Sequence, residues 1–353
     1  MQLSAIFTNL NIQQPQQTRS RNVSSPRYIG NTNLAPLKRD TVSFGATCKE
    51  MGLNAISQGI NHNTALKIHE DALVAQNYLH KQLDSILGDM VRPKSGKGAL
   101  SRPIDIIRYR TKSAKSIREK AGARKLYNTK EIKENLTDII GARIVMADAN
   151  IKSVNEVMDR LTNAVNKDHL KVLEIENYRP DPLLDDEGNV KKVYDYASPR
   201  ALGNLRDACL NKGIDIHKRD EDIPSGYMAI HMLVPLPNGF TGEIQLMGKD
   251  VEALKEVEDT CYKVKNGKHL EKQYAPVEKM LKPLANKEDT ILRKGYMDYT
   301  RQAYLAQRAK EPRRSKQKDY TFMHIPESLD YIPPQLDFNN IYAEMKKCGF
   351  SVD

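Results

Sequence analysis

Tryptophan is absent from the 353-residue chain and aromatic residues make up only 6% of it. With a hydrophobic fraction of 39% and a mean hydropathy of −0.61, part of the chain is expected to lie outside any core. No run of about 20 apolar residues occurs, which excludes a membrane-spanning helix and leaves a cytoplasmic location as the expectation. Cysteine is scarce and scattered: Cys48, Cys209, Cys261 and Cys348 form no CxxC pair. A disulfide framework or zinc site is therefore not expected, and a reducing compartment fits better. Acidic residues are missing before Asp40. Residues 1–46, rich in Gln, Asn, Ser and Pro, read as a disordered head without a secretory core. An organellar transit peptide would have a similar composition; low complexity is the preferred reading.

Positive charge is abundant, with a net charge of +10 and a pI near 9.2. It is concentrated at Arg19, Arg21 and Arg27, between residues 108 and 125, and at Lys310, Arg313, Arg314, Lys316 and Lys318. Polyanionic partners, nucleotides or nucleic acid, follow from this balance. The last cluster reads as a solvated surface.

Apolar residues recur at helical spacing from Ala65 to about Val91, predicting a helical segment over 63–98. His62, His69 and His80 lie on it without an HExxH pattern, so a surface helix is preferred over a metal site. A strand is expected over 103–109, a basic helix over 113–125, a buried strand over 142–147 and a helix over 151–165. Another strand is expected at 170–175, a loop excursion at 178–198 and a helix at 199–211. A hairpin follows at 228–234 and 241–246, then helices at 250–263 and 287–309. Helices are expected through 266–311, and the tail at 312–353 is expected to lack a core of its own. Interleaved strands and helices give an α/β (α+β) fold with a mixed sheet.

Two half-sites stand out. In the first, Arg110, Lys112, Ser116 and Lys120 form RxKxxxSxxxK. On a helix, positions 112, 116 and 120 share one ridge able to neutralise a triphosphate. Eight Lys or Arg against the single acid Glu119 between 108 and 125 call for an anion or carboxylate nearby. Asp138 stands directly before an apolar strand, where a carboxylate facing a phosphate cradle can hold Mg²⁺. In the second, Tyr227 and His231 share a strand face and suit a purine, while Glu243 is a second carboxylate, for metal or for a hydroxyl proton.

Taken in order, RxKxxxSxxxK, DxxGxR, SGYxxxH and EIQ resemble the RelA/SpoT synthetase domain over about residues 100–265. The resemblance implies a nucleotidyltransferase-like mixed sheet flanked by helices. It implies that Arg110, Lys112, Ser116 and Lys120 bind ATP, and that Asp138 and Glu243 hold Mg²⁺ and carry the catalysis. Tyr227, His231, Gln245 and Arg143 would serve the acceptor, with Tyr227 stacking on guanine. The implied reaction is pyrophosphate transfer from ATP to the 3′-hydroxyl of GDP or GTP, giving (p)ppGpp, as in the stringent response. Residues 1–100 contain no His-Asp hydrolase pair, so synthesis without degradation is expected, as in small alarmone synthetases.

Three departures fall in the acceptor half. Leu246-Met247-Gly248 follows Glu243-Ile-Gln245 where the family commonly continues with Arg-Thr, so one cation is missing. Glu221 and Asp222 precede Gly226 where a lysine is usual, with Lys218 and Arg219 further upstream. The stretch from Asp138 to Tyr227 is long. Two alternatives follow: pyrophosphate transfer to tRNA 3′ ends, and a non-catalytic nucleotide- or RNA-binding module on the same scaffold. ATP and GDP or GTP are the partners implied, with tRNA or another RNA as the alternative, no membrane, and a homo-oligomer left open.

Overall fold

The computed structural model describes residues 60–93, 102–147, 151–180, 183–184, 190–192, 197–214, 216–223, 225–310 and 337–350. The head, the basic tail cluster beyond Lys310 and the side chains of residues 217–224 lie outside the described residues, so expectations placed there are not addressed.

The first helix, α1 (His62–Leu87), is capped by the Asn61 side chain, which accepts from the Thr64 amide. Its residues Ala65, Ile68, Ala72, Ala75, Leu79, Leu83 and Ile86 are buried at the predicted spacing. It is a core helix on this side, with Leu73, Val74 and Tyr78 exposed on the other. None of its expected histidines joins a metal cluster among the described residues. His69 Nδ1 instead lies 2.8 Å from the Lys112 carbonyl, and the His80 ring packs on Tyr109 at 4.4 Å. Truncating fully buried Leu79 to Ala should cost about 2–5 kcal/mol, whereas exposed Leu73→Ala should stay within about 0.5 kcal/mol. Urea unfolding of the two variants distinguishes these outcomes.

Strand β1 (Ile104–Thr111) leads into α2 (Ala114–Ala123), α3 (Thr129–Asn135) and β2 (Ile140–Met146). Next come α4 (Ile151–Asn166), β3 (Glu174–Pro180), a small hairpin β4 (Leu183–Leu184) and β5 (Val190–Lys192), α5 (Pro199–Asn211) and β6 (His217–Ile223). The chain continues with β7 (Ala229–Pro235), β8 (Thr241–Gly248), α6 (Lys249–Lys265), α7 (Ala275–Leu281), α8 (Thr290–Lys310) and α9 (Phe338–Lys347). The main sheet has six strands in the order β1-β2-β8-β7-β3-β6. β2 pairs parallel with β8 and β3 with β6; the remaining neighbours are antiparallel. This is the expected mixed sheet flanked by helices.

Its two faces differ in kind. Ile140, Ala142, Ile144 and Met146 alternate on β2, as Ile244 and Leu246 do on β8, and bury against α1, α2, α4 and α5. On the opposite face the intervening positions include the polar residues Arg143, Glu243 and Gln245 beside the apolar Val145 and Met247, and a second core roofs part of them. Val251, Leu254, Val257, Cys261, Val277, Leu281, Tyr296, Tyr304, Phe338, Ile341 and Met345 form it, drawn from α6 to α9.

Several elements escaped the sequence reading. The excursion at 178–198 begins as β3, which runs to Pro180, and contains the β4–β5 hairpin. Strand β6 adds a parallel edge beside β3, although its residues, HKRDEDI, carry no apolar period. After Pro312, where irregular chain was expected, α9 buries Phe338, Ile341 and Met345 in the second core.

Candidate active site

The polar face carries two rows that run across the strands. Register places Arg108 opposite Arg143, Arg143 opposite Gln245, Gln245 opposite His231, and His231 opposite Glu176. One step along, Arg110 stands opposite Gly141 and Gly141 opposite Glu243. With no side chain at Gly141, Arg110 lies over it: a Cβ there would meet Arg110 Cγ at 3.8 Å and Nε at 3.9 Å. The first candidate cation is thereby aimed along its row toward Glu243.

Lys112 does not sit on the expected helical ridge. Ser113 caps α2, its hydroxyl accepting from the Ser116 amide, so the helix starts at Ala114 and Lys112 belongs to the preceding link. The two lysines converge nevertheless. Asp138 Oδ2 lies 2.8 Å from Lys112 Nζ and 2.5 Å from Lys120 Nζ. Contacts from α1 hold this link: His69 to the Lys112 carbonyl, and the Thr111 hydroxyl, which donates to Gln76 Oε1 at 3.0 Å. Ser116 Oγ lies 3.2 Å from Ser113 Oγ, at the first turn of α2.

Burial alone would raise the Asp138 carboxyl, but Lys112 and Lys120 outweigh it and hold it down to about 2. Burial also lowers the Lys112 ammonium, with Asp138 opposing. The second carboxylate oxygen, Oδ1, is buried and without a hydrogen-bond partner. An orphan carboxylate oxygen beside two ammonium groups fits a divalent cation, which takes hard oxygen ligands.

Glu243 anchors the other half. Its Oε1 lies 2.9 Å from His231 Nδ1, an ion-pair contact without the alignment of a hydrogen bond, and its Oε2 accepts from Gln245 Nε2 at 2.8 Å. Burial pushes this carboxyl up as well. The neighbouring His231 charge reverses that and holds it down to about 2, with Asp138 opposing and Arg110 assisting. Glu243 thus feels the Asp138 charge across the two half-sites. His231 Nε2 in turn lies 2.9 Å from the Tyr227 hydroxyl.

The sequence reading missed Glu176. It places a carboxylate on the His231–Glu243 pair, and ligand atoms of Glu176, His231 and Glu243 all lie within 4.8 Å of one another. No other such group occurs among the described residues, and Asp138 is not part of this one. The signal was present as Glu174-Ile175-Glu176-Asn177-Tyr178, an alternation with Ile175 in the first core, but the expected strand stopped at 175.

Arg143 has partners other than those expected of it. Its Nη1 is 2.7 Å from Glu256 Oε1 and 3.3 Å from Glu252 Oε1, and Glu252, 2% exposed, also takes Arg108 Nε at 3.1 Å. Two arginines side by side on antiparallel strands would repel; the buried Glu252 between them removes that cost. Arg143 Nε also donates to Gln245 Oε1 at 3.3 Å, which fixes the amide that faces Glu243. Arg143→Met should destabilise the fold by about 2–3 kcal/mol, since Glu256 is stranded while Glu252 keeps Arg108. Thermal unfolding beside the wild type checks this.

Tyr227, expected to offer its ring to a purine, is only 6% exposed. Its ring packs on Tyr178 at 5.9 Å and Tyr304 at 6.0 Å, and Lys255 Nζ stands over it at 4.8 Å.

Among the solved structures with which this chain aligns is small alarmone synthetase 1 from Bacillus subtilis, at 18% identity and a TM-score of 0.34, covering 61% of this chain and 84% of that one. The same synthetase bound to its product pppGpp aligns at 18% identity and a TM-score of 0.34, over 66% and 95% of the two chains. A GTP pyrophosphokinase family protein from Streptococcus pneumoniae aligns at 16% and 0.32, over 68% and 94%. Likeness of this order carries no residue-level correspondence. No curated protein matches the sequence. A family model does match: residues 109–267, spanning Arg110, Asp138, His231 and Glu243, fit the region found in RelA / SpoT proteins. The chain therefore contains, between residues 109 and 267, a RelA/SpoT region.

Proposed function

We propose that this protein transfers pyrophosphate from ATP to the 3′-hydroxyl of GDP or GTP. The observation that carries the reading is that the RelA/SpoT region holds a lysine-paired Asp138 just before β2 and, on the neighbouring strand β8, a histidine-paired Glu243 that feels its charge. In this reading Lys112 and Lys120 release Asp138 to take phosphate oxygens, and Arg110 and the first turn of α2 with Ser116 complete the cradle. A divalent cation held by Asp138 Oδ1 and Glu243, with Mg²⁺ the natural occupant, would supply further neutralisation of phosphate charge.

The acceptor 3′-oxygen bonds to the β-phosphorus of ATP while the bond from that phosphorus to the α,β-bridging oxygen breaks. AMP leaves with the bridging oxygen, and the hydroxyl proton passes to Glu243. His231 orients that carboxylate, and Gln245, itself held by Arg143, fixes its other oxygen. The protein contributes placement and charge stabilisation rather than covalent chemistry.

Incubation with ATP and Mg²⁺, with GDP, GTP or bulk tRNA as acceptor, tests the proposal. AMP release is expected with a guanine nucleotide and not with tRNA. AMP release with tRNA alone would move the acceptor to RNA 3′ ends. Nucleotide binding without AMP release in any arm would leave only a binding module.

A further inference from the structure

The aromatic rings in contact with His231 are Tyr178 and Tyr227, at centroid separations of 4.5 and 5.9 Å, and each is 6% exposed. Among the described residues, a purine brought to Glu243 therefore has no open aromatic face there to stack on. The cause is α8. Gly226 takes a left-handed φ of 82° and lies against the backbone of that helix: a Cβ at this glycine would stand 2.9 Å from Arg301 Cα and 3.0 Å from its carbonyl oxygen. One turn on, Tyr304 is fully buried and meets the Tyr227 ring edge-on at 6.0 Å. Its hydroxyl donates to Glu258 Oε2 at 2.6 Å, tying α8 to α6.

We propose that α8 is a lid over the acceptor side of the site, closed here by the Gly226–Arg301 backbone contact and the Tyr304–Glu258 clasp, and that it must move away before a guanine nucleotide can stack on Tyr227. This rests on the acceptor reading given above. The clasp suits a part that moves. It joins a phenol to a carboxylate at the side of a hydrophobic core, and burial pushes Glu258 up, so its ionised form gains little by remaining there. Lys255, which covers Tyr227, is likewise held by a polar contact, at 2.7 Å to Asp259. Releasing α8 would remove the edge-on Tyr304 contact. With Lys255 also swung away, the Tyr227 ring would be exposed and its hydroxyl free to leave His231 Nε2, so that the imidazole serves Glu243 alone. Lid opening would then couple acceptor entry to the setting of the proton acceptor. ATP, bound at the other half-site, would not require it.

The test is amide hydrogen exchange of the full chain without ligand, with α,β-methylene-ATP and Mg²⁺, and with the same plus GDP, alongside equilibrium dialysis of labelled GDP. The expected result is exchange across residues 296–304 of α8 rising about tenfold or more on adding GDP and not on adding the ATP analogue. In Tyr304→Phe, which keeps the ring and deletes the clasp, KM for GDP should fall about three- to tenfold at unchanged KM for ATP. GDP bound in dialysis with α8 protection unchanged or increased overturns the lid, whatever the variant does. Absence of GDP binding in both wild type and Tyr304→Phe overturns the acceptor reading itself, and the lid with it.

Discussion

Glu243→Gln lowers turnover about 10³-fold while the protein stays folded. Glutamine has the same shape, and its amide can turn its oxygen to Gln245 Nε2 and its nitrogen to an uncharged His231, so the buried contacts at 2.8 and 2.9 Å persist. Lost are the proton acceptor for the 3′-hydroxyl and a carboxylate charge in the buried face. General-base removal alone costs about 10²–10⁴ in rate, and a missing metal-facing charge adds to it. The depression of Glu243 to about 2 keeps it ionised at working pH, ready to accept a proton. Steady-state AMP release, with KM for ATP followed separately, measures the loss. Turnover within about threefold of wild type in Glu243→Gln would remove Glu243 from the proton transfer.

Asp138→Asn separates phosphate binding from catalysis. The substitution deletes the partner that neutralises Lys112 and Lys120, so both ammonium groups become available to an anion. Affinity for ATP without divalent metal should rise by about three- to tenfold, whereas turnover with metal should fall about 10²-fold or more. A purely structural Asp138 would lower both together. Stability follows a definite pH course. The folded-state carboxyl, held at about 2, lies below the ordinary value of 3.8, so the ionised form is favoured by folding. The wild type's advantage over the variant is then fully present above about pH 4 and lost as pH falls through about 2. Its size is on the order of 2 kcal/mol. Urea unfolding at pH 6 and pH 2.5 should show a gap at the first that narrows at the second.

How much of this was legible beforehand depended on whether a signal was local. The period of apolar residues marked α1, β2, α4 and the β7–β8 hairpin, because each buries one face against the first core. Strand β6 has no such period, since an edge strand of charged residues is held by backbone pairing with β3. Helix α9 is short and follows chain without an apolar pattern, so its burial depends on α6, α7 and α8 being in place. At the site, the motif positions could not show which partners the residues would meet. Lys112 was placed on a helix because spacing cannot show that Ser113 would cap it. The resemblance gives Arg143 to the acceptor and cannot show its carboxylates, which lie more than 100 residues away on α6. Tyr227 was read as open because nothing near it in sequence indicates that α8 lies over it. Glu176 could have been found by extending the alternation of β3 two residues further.

The central claim is that the two half-sites act together in one pyrophosphoryl transfer. It is tested most directly by supplying ATP labelled in both the β- and γ-phosphates, with GDP and Mg²⁺, and following both labels and AMP with time. The account predicts that both labels move together onto the guanine nucleotide, one pair for each AMP released, and that Glu243→Gln slows the movement about 10³-fold. AMP formed without labelled guanine nucleotide, or a single label transferred with release of ADP, would contradict it.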